Sequence, residues 1–424
     1  MALYRKVYRI IGLVVALLGC ALAPFLPLLI RELPDIPHIY LIYLLFVLNS
    51  ALSYFFVYKQ SLIVADQKQY IITVCHYGLR IVLLLAQAFL LWLTRNYFVY
   101  LGLQIGMTLL ENLLLAHAAG RLYPYLRASS DRALRRETKR EILRNTRAML
   151  FHRIGAVVVF GTDNLLISYF SGVVAVGIYS NYMIVTNGLG TIYGRLFGAL
   201  TASVGNLNAV STPEHALPVF RRVHFAGSWL YGFSFVCLYT LFNPFIELWP
   251  GEQYLFCQEI VLLISVNFYI TGMRQAVLTF RDACGLYWYD RYKSVVESVI
   301  NLAVSAALAV PYGVAGIFIG TFVSTMTTCF WVEPLVLFRY GLKTSVCPYF
   351  KDYAVNTVIT LLAAAVWNIC EALPGAGLPL FLAKMAVCAV AGNLFFLLVY
   401  HRREEFRYFT KLLIGLLHRR KKSL

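Results

Sequence analysis

Apolar runs of membrane length, parted by short polar segments, recur along the whole chain. They fall at 10–30, 39–58, 70–94, 97–118, 150–171, 173–203, 223–248, 255–280, 294–310, 313–338, 353–373 and 377–400. A membrane span takes about 20 apolar residues, so this pattern predicts an all-α polytopic membrane protein of about twelve transmembrane helices. The first run follows Arg5, Lys6 and Arg9, as a signal peptide would. It continues past Leu17-Leu18-Gly19-Cys20 to full membrane length, which predicts an uncleaved first span.

Two runs differ from the others. Between Phe151 and Asn206 they meet at Ser171-Gly172, which leaves room only for a helical hairpin. That hairpin carries Thr162, Asp163, Asn164, Asn181, Tyr182, Asn187 and Arg195. Lipid offers such side chains no hydrogen-bond partner, so they must face protein or water. The expectation is a hairpin that walls an internal cavity.

The loops set the orientation. Basic connections alternate with short ones poor in Lys and Arg, which by the positive-inside rule puts both termini in the cytoplasm. The charged stretch Arg127 to Arg144 reads as an interfacial helix dividing two lobes. The expected organisation is an N-terminal lobe over 1–118 and a basic linker over 119–149. A C-terminal lobe follows over 150–341, then an extra helix pair over 342–400 and a tail over 401–424. The tail reads as a basic amphipathic helix for anionic lipid, or equally as a plain topology anchor.

Composition supports the membrane reading: 60% of the 424 residues are hydrophobic and 13% charged, against about 25% charged in soluble domains. The net charge of +17 sits in loops between spans, so topology explains it better than nucleic-acid binding. The nine cysteines show no CxxC pair and no histidine at ligand spacing, and most lie inside apolar runs. Neither a disulfide framework, a metal site nor a cofactor is expected.

A parallel repeat is present. Leu3-Tyr-Arg-Lys-Val7 resembles Val219-Phe-Arg-Arg-Val223, and Asp66 lies as far from Val7 as Asp282 lies from Val223. Between them Pro27–Pro34 resembles Pro244–Pro250, and Lys59-Gln60 resembles Arg274-Gln275. Repeats of this kind belong to transporters whose halves enclose a central path.

Charges inside spans carry the candidate chemistry, because each costs upward of about 2.5 kcal/mol and is kept for water, a partner or a ligand. Arg274, Arg80 and Arg195 are candidates for binding an anionic substrate, since guanidinium clasps phosphate bidentately. Arg274 ranks first, having no acid nearby in its own helix. Arg80 and Glu297 fall at nearly equivalent repeat positions and pair with each other equally well on this reading, and Arg195 also reads as a snorkelling interfacial residue. Asn181, Tyr182 and Tyr269 are further substrate-side candidates, although any one tyrosine is more often part of an interfacial belt. Asp163, Asn164, Glu297 and Glu333 are candidates for ion coupling or gating, with helix packing as the plain alternative for the first two.

The segment FHRIGAVVVFGTDNLLISYFSGVVAVGIYSNY, with LTASVGNL after it, resembles the hairpin of bacterial polysaccharide exporters, the Wzx-type oligosaccharide flippases of the MATE-like superfamily. SYFFVYKQSLIVADQKQY, FRDACGLYWYDRYKSVVESVINLAVS and GIFIGTFVSTMTTCFWVEP resemble other blocks of that family. The resemblance implies two lobes around a central cavity and two extra C-terminal helices in the bacterial inner membrane. It implies non-enzymatic flipping of polyprenyl-pyrophosphate-linked oligosaccharide by alternating access, coupled to an ion gradient, beside polysaccharide-biosynthesis proteins. Members carry about fourteen helices, and this chain begins where their third would. The competing readings are a multidrug exporter of the same fold, which favours a carboxylate-lined cavity, and a membrane polysaccharide polymerase or ligase, which needs a large outer loop.

Overall fold

The computed structural model describes residues 2–29, 37–54, 57–66, 68–124, 136–210 and 213–412. Three expectations lie outside these residues in whole or part: the connection through Arg31-Glu32, the divider from Arg127 to its helical start at Arg136, and the end of the basic tail after Leu412.

The chain is a multi-pass, all-helical membrane protein. Ten helices among the described residues are long and apolar enough to cross a bilayer, eleven with the bent pair at Ile39–Tyr54 and Val57–Ile63. One of the ten contains a break at Gly172, and counting its arms separately gives the expected twelve. By contact the chain divides into two compact units, Met1–Arg140 and Glu141–Leu424.

The first unit holds α1 (Ala2–Leu22), the short α2 (Leu26–Leu29), α3 (Ile39–Tyr54), α4 (Val57–Ala65), α5 (Gln69–Thr94) and α6 (Tyr97–Leu122). Within it α1 packs on α3, α3 on α6 and α5 on α6. Between α4 and α5, hydrogen bonds from Lys68 and from the Tyr123 hydroxyl hold the Asp66 carboxyl below its ordinary pKa.

The second unit begins within α7 (Arg136–Val210) and continues through α8 (Pro213–Leu248), α9 (Gln258–Met273), α10 (Gln275–Ala283), α11 (Lys293–Tyr312), α12 (Val314–Thr327) and α13 (Cys329–Val336). A π turn, Leu337–Leu342, closes this series. Here α8 packs on α9, α9 on α12 and α11 on α12, the same neighbour pattern as in the first unit. The span after α1 is bent by 44° between α3 and α4, and the span after α8 is interrupted at Arg274, in keeping with the sequence repeat. The extra helices follow as α14 (Cys347–Ala363), α15 (Val366–Glu371), α16 (Gly377–Val387) and α17 (Asn393–Tyr400). A last helical turn at 404–412 lays Phe406 against Trp229 and Phe409 against Phe225.

The hairpin follows from one residue. Gly172 has φ 84° and ψ 167°, a conformation that is essentially closed to residues bearing a Cβ. Before it, Thr162 bonds Asn301 in the middle of α11, and Ser171 lies beside Gly313 just past the end of that helix. After it, Tyr182 bonds Asn243 near the end of α8, and Tyr193 bonds Ser234 at its middle. The first arm therefore runs along α11 and the second runs antiparallel to α8.

Aromatic packing fills the second unit. Phe220, Phe280, Phe338 and Tyr349 form one core, and Tyr182, Phe242, Phe256 and Phe318 form another. Apolar residues such as Trp92, Val174 and Val310 are exposed, as lipid-facing positions should be. The α11–α12 hairpin closes on small residues: a Cβ at Gly316 would run into the Leu308 carbonyl, and one at Gly320 would come within 2.6 Å of the Ser305 backbone. Such glycines let two helices approach closely where lipid supplies no hydrophobic drive. Gly320→Ala is expected to cost about 1–3 kcal/mol by overpacking, read as a lower thermal-unfolding midpoint of the purified protein in detergent.

Candidate functional site

In the first unit, helical spacing builds a polar pocket at membrane depth. His76, Leu79, Arg80 and Leu83 share one face of α5, and Gln104, Thr108, Glu111 and Asn112 share one face of α6. With Asn49 and Ser53 of α3 and Gln60 of α4 they enclose about 400 Å³. His76 Nδ1 lies 2.9 Å from Glu111 Oε1. Gln60 donates to Asn112 Oδ1 at 3.4 Å, and Asn112 donates in turn to the Leu52 carbonyl. Asn49 Oδ1 is buried without a hydrogen-bond partner. Arg80 lines the pocket, and among the described residues no carboxylate pairs with it. A guanidinium held unpaired at this depth can receive an anion along its N–H edge.

The second unit holds two polar clusters. In the first, Asp163 is buried, and Thr321 Oγ1 donates to its Oδ1 at 3.5 Å. Asn301 donates to Thr321 Oγ1 at 3.1 Å and to Ser324 Oγ at 3.5 Å, while Thr162 donates to Asn301 Oδ1 at 3.4 Å. No cationic side chain pairs with Asp163 among the described residues. The group is an oxygen-rich cage joining α7, α11 and α12 by mostly long bonds, which is an arrangement able to take up a proton or a small cation. Its neighbour Asn164 is exposed.

The other cluster is built on charge. Arg274 sits where α9 breaks into α10 and donates from Nε and Nη2 to the two oxygens of Glu333 at 2.8 and 2.7 Å. Lys293 Nζ also bonds Glu333, and Arg281 bonds Asp290 and Asp282. Glu297 lies 3.9 Å from Arg274 and accepts from Thr325 at 3.5 Å. Three cations thus meet four carboxylates in a network that joins α9, α10, α11 and α13.

This geometry relocates several of the sequence-derived candidates. The acid absent from the helix of Arg274 arrives 59 residues later in the chain, as Glu333. Glu297 lies beside Arg274 within the second unit. Arg281 and Lys293, which belong by sequence to a basic connection between spans, have buried side chains. Tyr182 is fully buried, its hydroxyl donating to Asn243 and accepting from the Phe256 amide, and the buried Tyr269 shares a hydrogen bond with Thr357. Asn181 donates to the Gly177 carbonyl of its own helix. Arg195 is exposed on the second arm of α7. His76, Glu111 and Gln104 were not picked out from sequence. The signal for them was the four-residue step from His76 to Arg80, matched by the polar steps along α6.

Among solved structures the chain is similar to the lipid II flippase MurJ in an inward closed conformation, with a TM-score of 0.65 and 13% sequence identity. The match covers 94% of this chain and 82% of that one. At this identity the likeness shows the fold, a MurJ-like arrangement of polytopic helices. No protein-family model matches the sequence, and no curated protein sequence does.

Removing one partner from a buried ion network leaves uncompensated charge, at a cost of about 3–5 kcal/mol. Glu333→Gln is therefore expected to lower the yield of folded protein and its thermal midpoint, while Glu111→Gln in the open pocket leaves both near wild type. Size-exclusion profiles and thermal scans of the two variants check this contrast.

Proposed function

We propose that the chain is a non-enzymatic translocase that carries polyprenyl-pyrophosphate-linked oligosaccharide across the bacterial inner membrane for polysaccharide export, by alternating access. The observation that carries this reading is the pocket of the first unit: a polar space at membrane depth whose arginine, Arg80, has no carboxylate partner among the described residues. A pyrophosphate supplies the missing partner. Hydroxyls of the sugars suit the mixed donors and acceptors of Gln104, Thr108, Asn112 and Asn49. The fold shared with a lipid II flippase and the resemblance of four sequence blocks to Wzx-type exporters support the same substrate class. Arg195, also without an acid partner among the described residues, is the second candidate for the anion. Arg274 is bound to Glu333 by two N–H groups and acts as a clamp between helices.

Asp163 is the coupling residue in this scheme. Loading its oxygen cage with a proton or cation changes how firmly α7 is tied to α11 and α12, which is a means of linking an ion gradient to a rearrangement.

Loss of a charge-assisted hydrogen bond weakens binding by about 1.5–3 kcal/mol, or roughly 10- to 100-fold. In a host whose surface polymer depends on this chain, Arg80→Ala is expected to reduce polymer strongly at normal protein level, with partial recovery in Arg80→Lys. Wild-type polymer from Arg80→Ala would overturn the assignment. In proteoliposomes, Asp163→Asn is expected to keep substrate binding while transport loses its response to an imposed ion gradient. A gradient response equal to wild type removes Asp163 from the scheme.

A further inference from the structure

On the basic end of the second unit, a cavity of about 110 Å³ opens between the start of α8, the π turn and the start of α14. His224 lies in its wall, only 5% exposed, and its Nε2 has no hydrogen-bond partner. Phe220 stacks parallel to the imidazole with centroids 5.9 Å apart, and Tyr349 lies tilted against it at 5.0 Å. The rim carries opposite charges on different helices. Arg221 on α8 has no ion pair among the described residues, and the positive end of the 17-residue α14 lies beside it, where Ser345 Oγ accepts from the Cys347 amide. Asp352 on α14 is half-exposed, with its Oδ1 3.7 Å from Arg403.

An unaccompanied anion here would meet Asp352, and an unaccompanied cation would meet Arg221 and the helix terminus. A ligand with both signs satisfies the rim, and the polar edge of His224 adds a donor within an otherwise apolar lining. The cavity also lies where α8 and α14 approach the end of their spans, at headgroup depth. We infer that this cavity binds the headgroup of a zwitterionic aminophospholipid. Its phosphate lies against Arg221 and the start of α14, His224 Nε2–H donates to a phosphate oxygen, and its primary ammonium donates to Asp352. Both the choline headgroup, which has no N–H, and the glycerol headgroup, which has no cation, lack one half of this recognition.

The inference is independent of the translocation reading, and its test needs no transported substrate. The delipidated full-length protein in detergent is reloaded with phosphatidylethanolamine, phosphatidylglycerol or phosphatidylcholine, and retained lipid is counted by native mass spectrometry. Wild type is expected to retain the ethanolamine lipid roughly tenfold better than the other two, the value of one charge-assisted hydrogen bond. Asp352→Asn is expected to bring the ethanolamine and choline lipids to parity. Arg221→Gln, at an exposed position that leaves the thermal midpoint unchanged, is expected to lower retention of the ethanolamine lipid by a similar factor. Equal retention of all three lipids by wild type, retention of none, or an unchanged preference in Asp352→Asn would each overturn the inference.

Discussion

Glu333 has a side chain with no solvent exposure, and the basic end of the second unit is built to neutralise it. A carboxylate in that position is tolerable only when several hydrogen-bonded cations surround it. Three elements meet that demand: the α9–α10 break brings Arg274, the start of α11 brings Lys293, and α10 brings Arg281 within 3.9 Å. Arg281 then needs Asp290, whose buried side chain pins the loop between α10 and α11 from inside. On either side of that pin Trp288 and Tyr292 face outward, and Arg291 lies over both rings. A break in a helix, the start of another and the shape of a loop all follow from a single buried charge.

The two units leave charges of opposite sign unpaired. In the first, the pocket has a guanidinium, Arg80, in no ion pair among the described residues, its one carboxylate, Glu111, being held by His76. In the second, the cage around Asp163 has a carboxylate with no cation, while in the denser cluster at its basic end every carboxylate lies within 3.9 Å of a cation. Charge left open at membrane depth is expensive and marks the places where a ligand or ion has something to offer. The paired cluster, although richer in charge, has far less to gain from a ligand. Unpaired charge within a site discriminates between function and architecture better than the number of charged residues.

Most of the fold was legible in the sequence because the bilayer imposes length and polarity on every span. Twelve helical segments, the turn at Gly172 and the repeat all came from apolar run length and local spacing. The site was less legible. Arg274 looked partnerless because Glu333 is remote in sequence, and side-chain pairing across 59 residues leaves no local trace. Arg281 and Lys293 looked like topology markers because a loop charge and a buried charge read alike in one dimension. Tyr182 looked like a cavity residue, although its hydroxyl links α7, α8 and the Phe256 amide. The pocket around Arg80 was partly readable, since His76 and Arg80 stand one helical turn apart.

The polar arms on either side of Gly172 also bear on biosynthesis. Asp163 and Thr162 leave the ribosome well before their partners: Asn301 lies 139 residues after Thr162, and Thr321 lies 158 residues after Asp163. At about 5–20 residues per second that interval lasts roughly 10–30 s. Throughout it the Asp163 carboxyl lacks its Thr321 donor and Thr162 its Asn301 acceptor. The newborn hairpin must wait against the insertion machinery or an assisting membrane chaperone until α11 and α12 arrive, which makes the order of synthesis itself a constraint on how polar this hairpin can be.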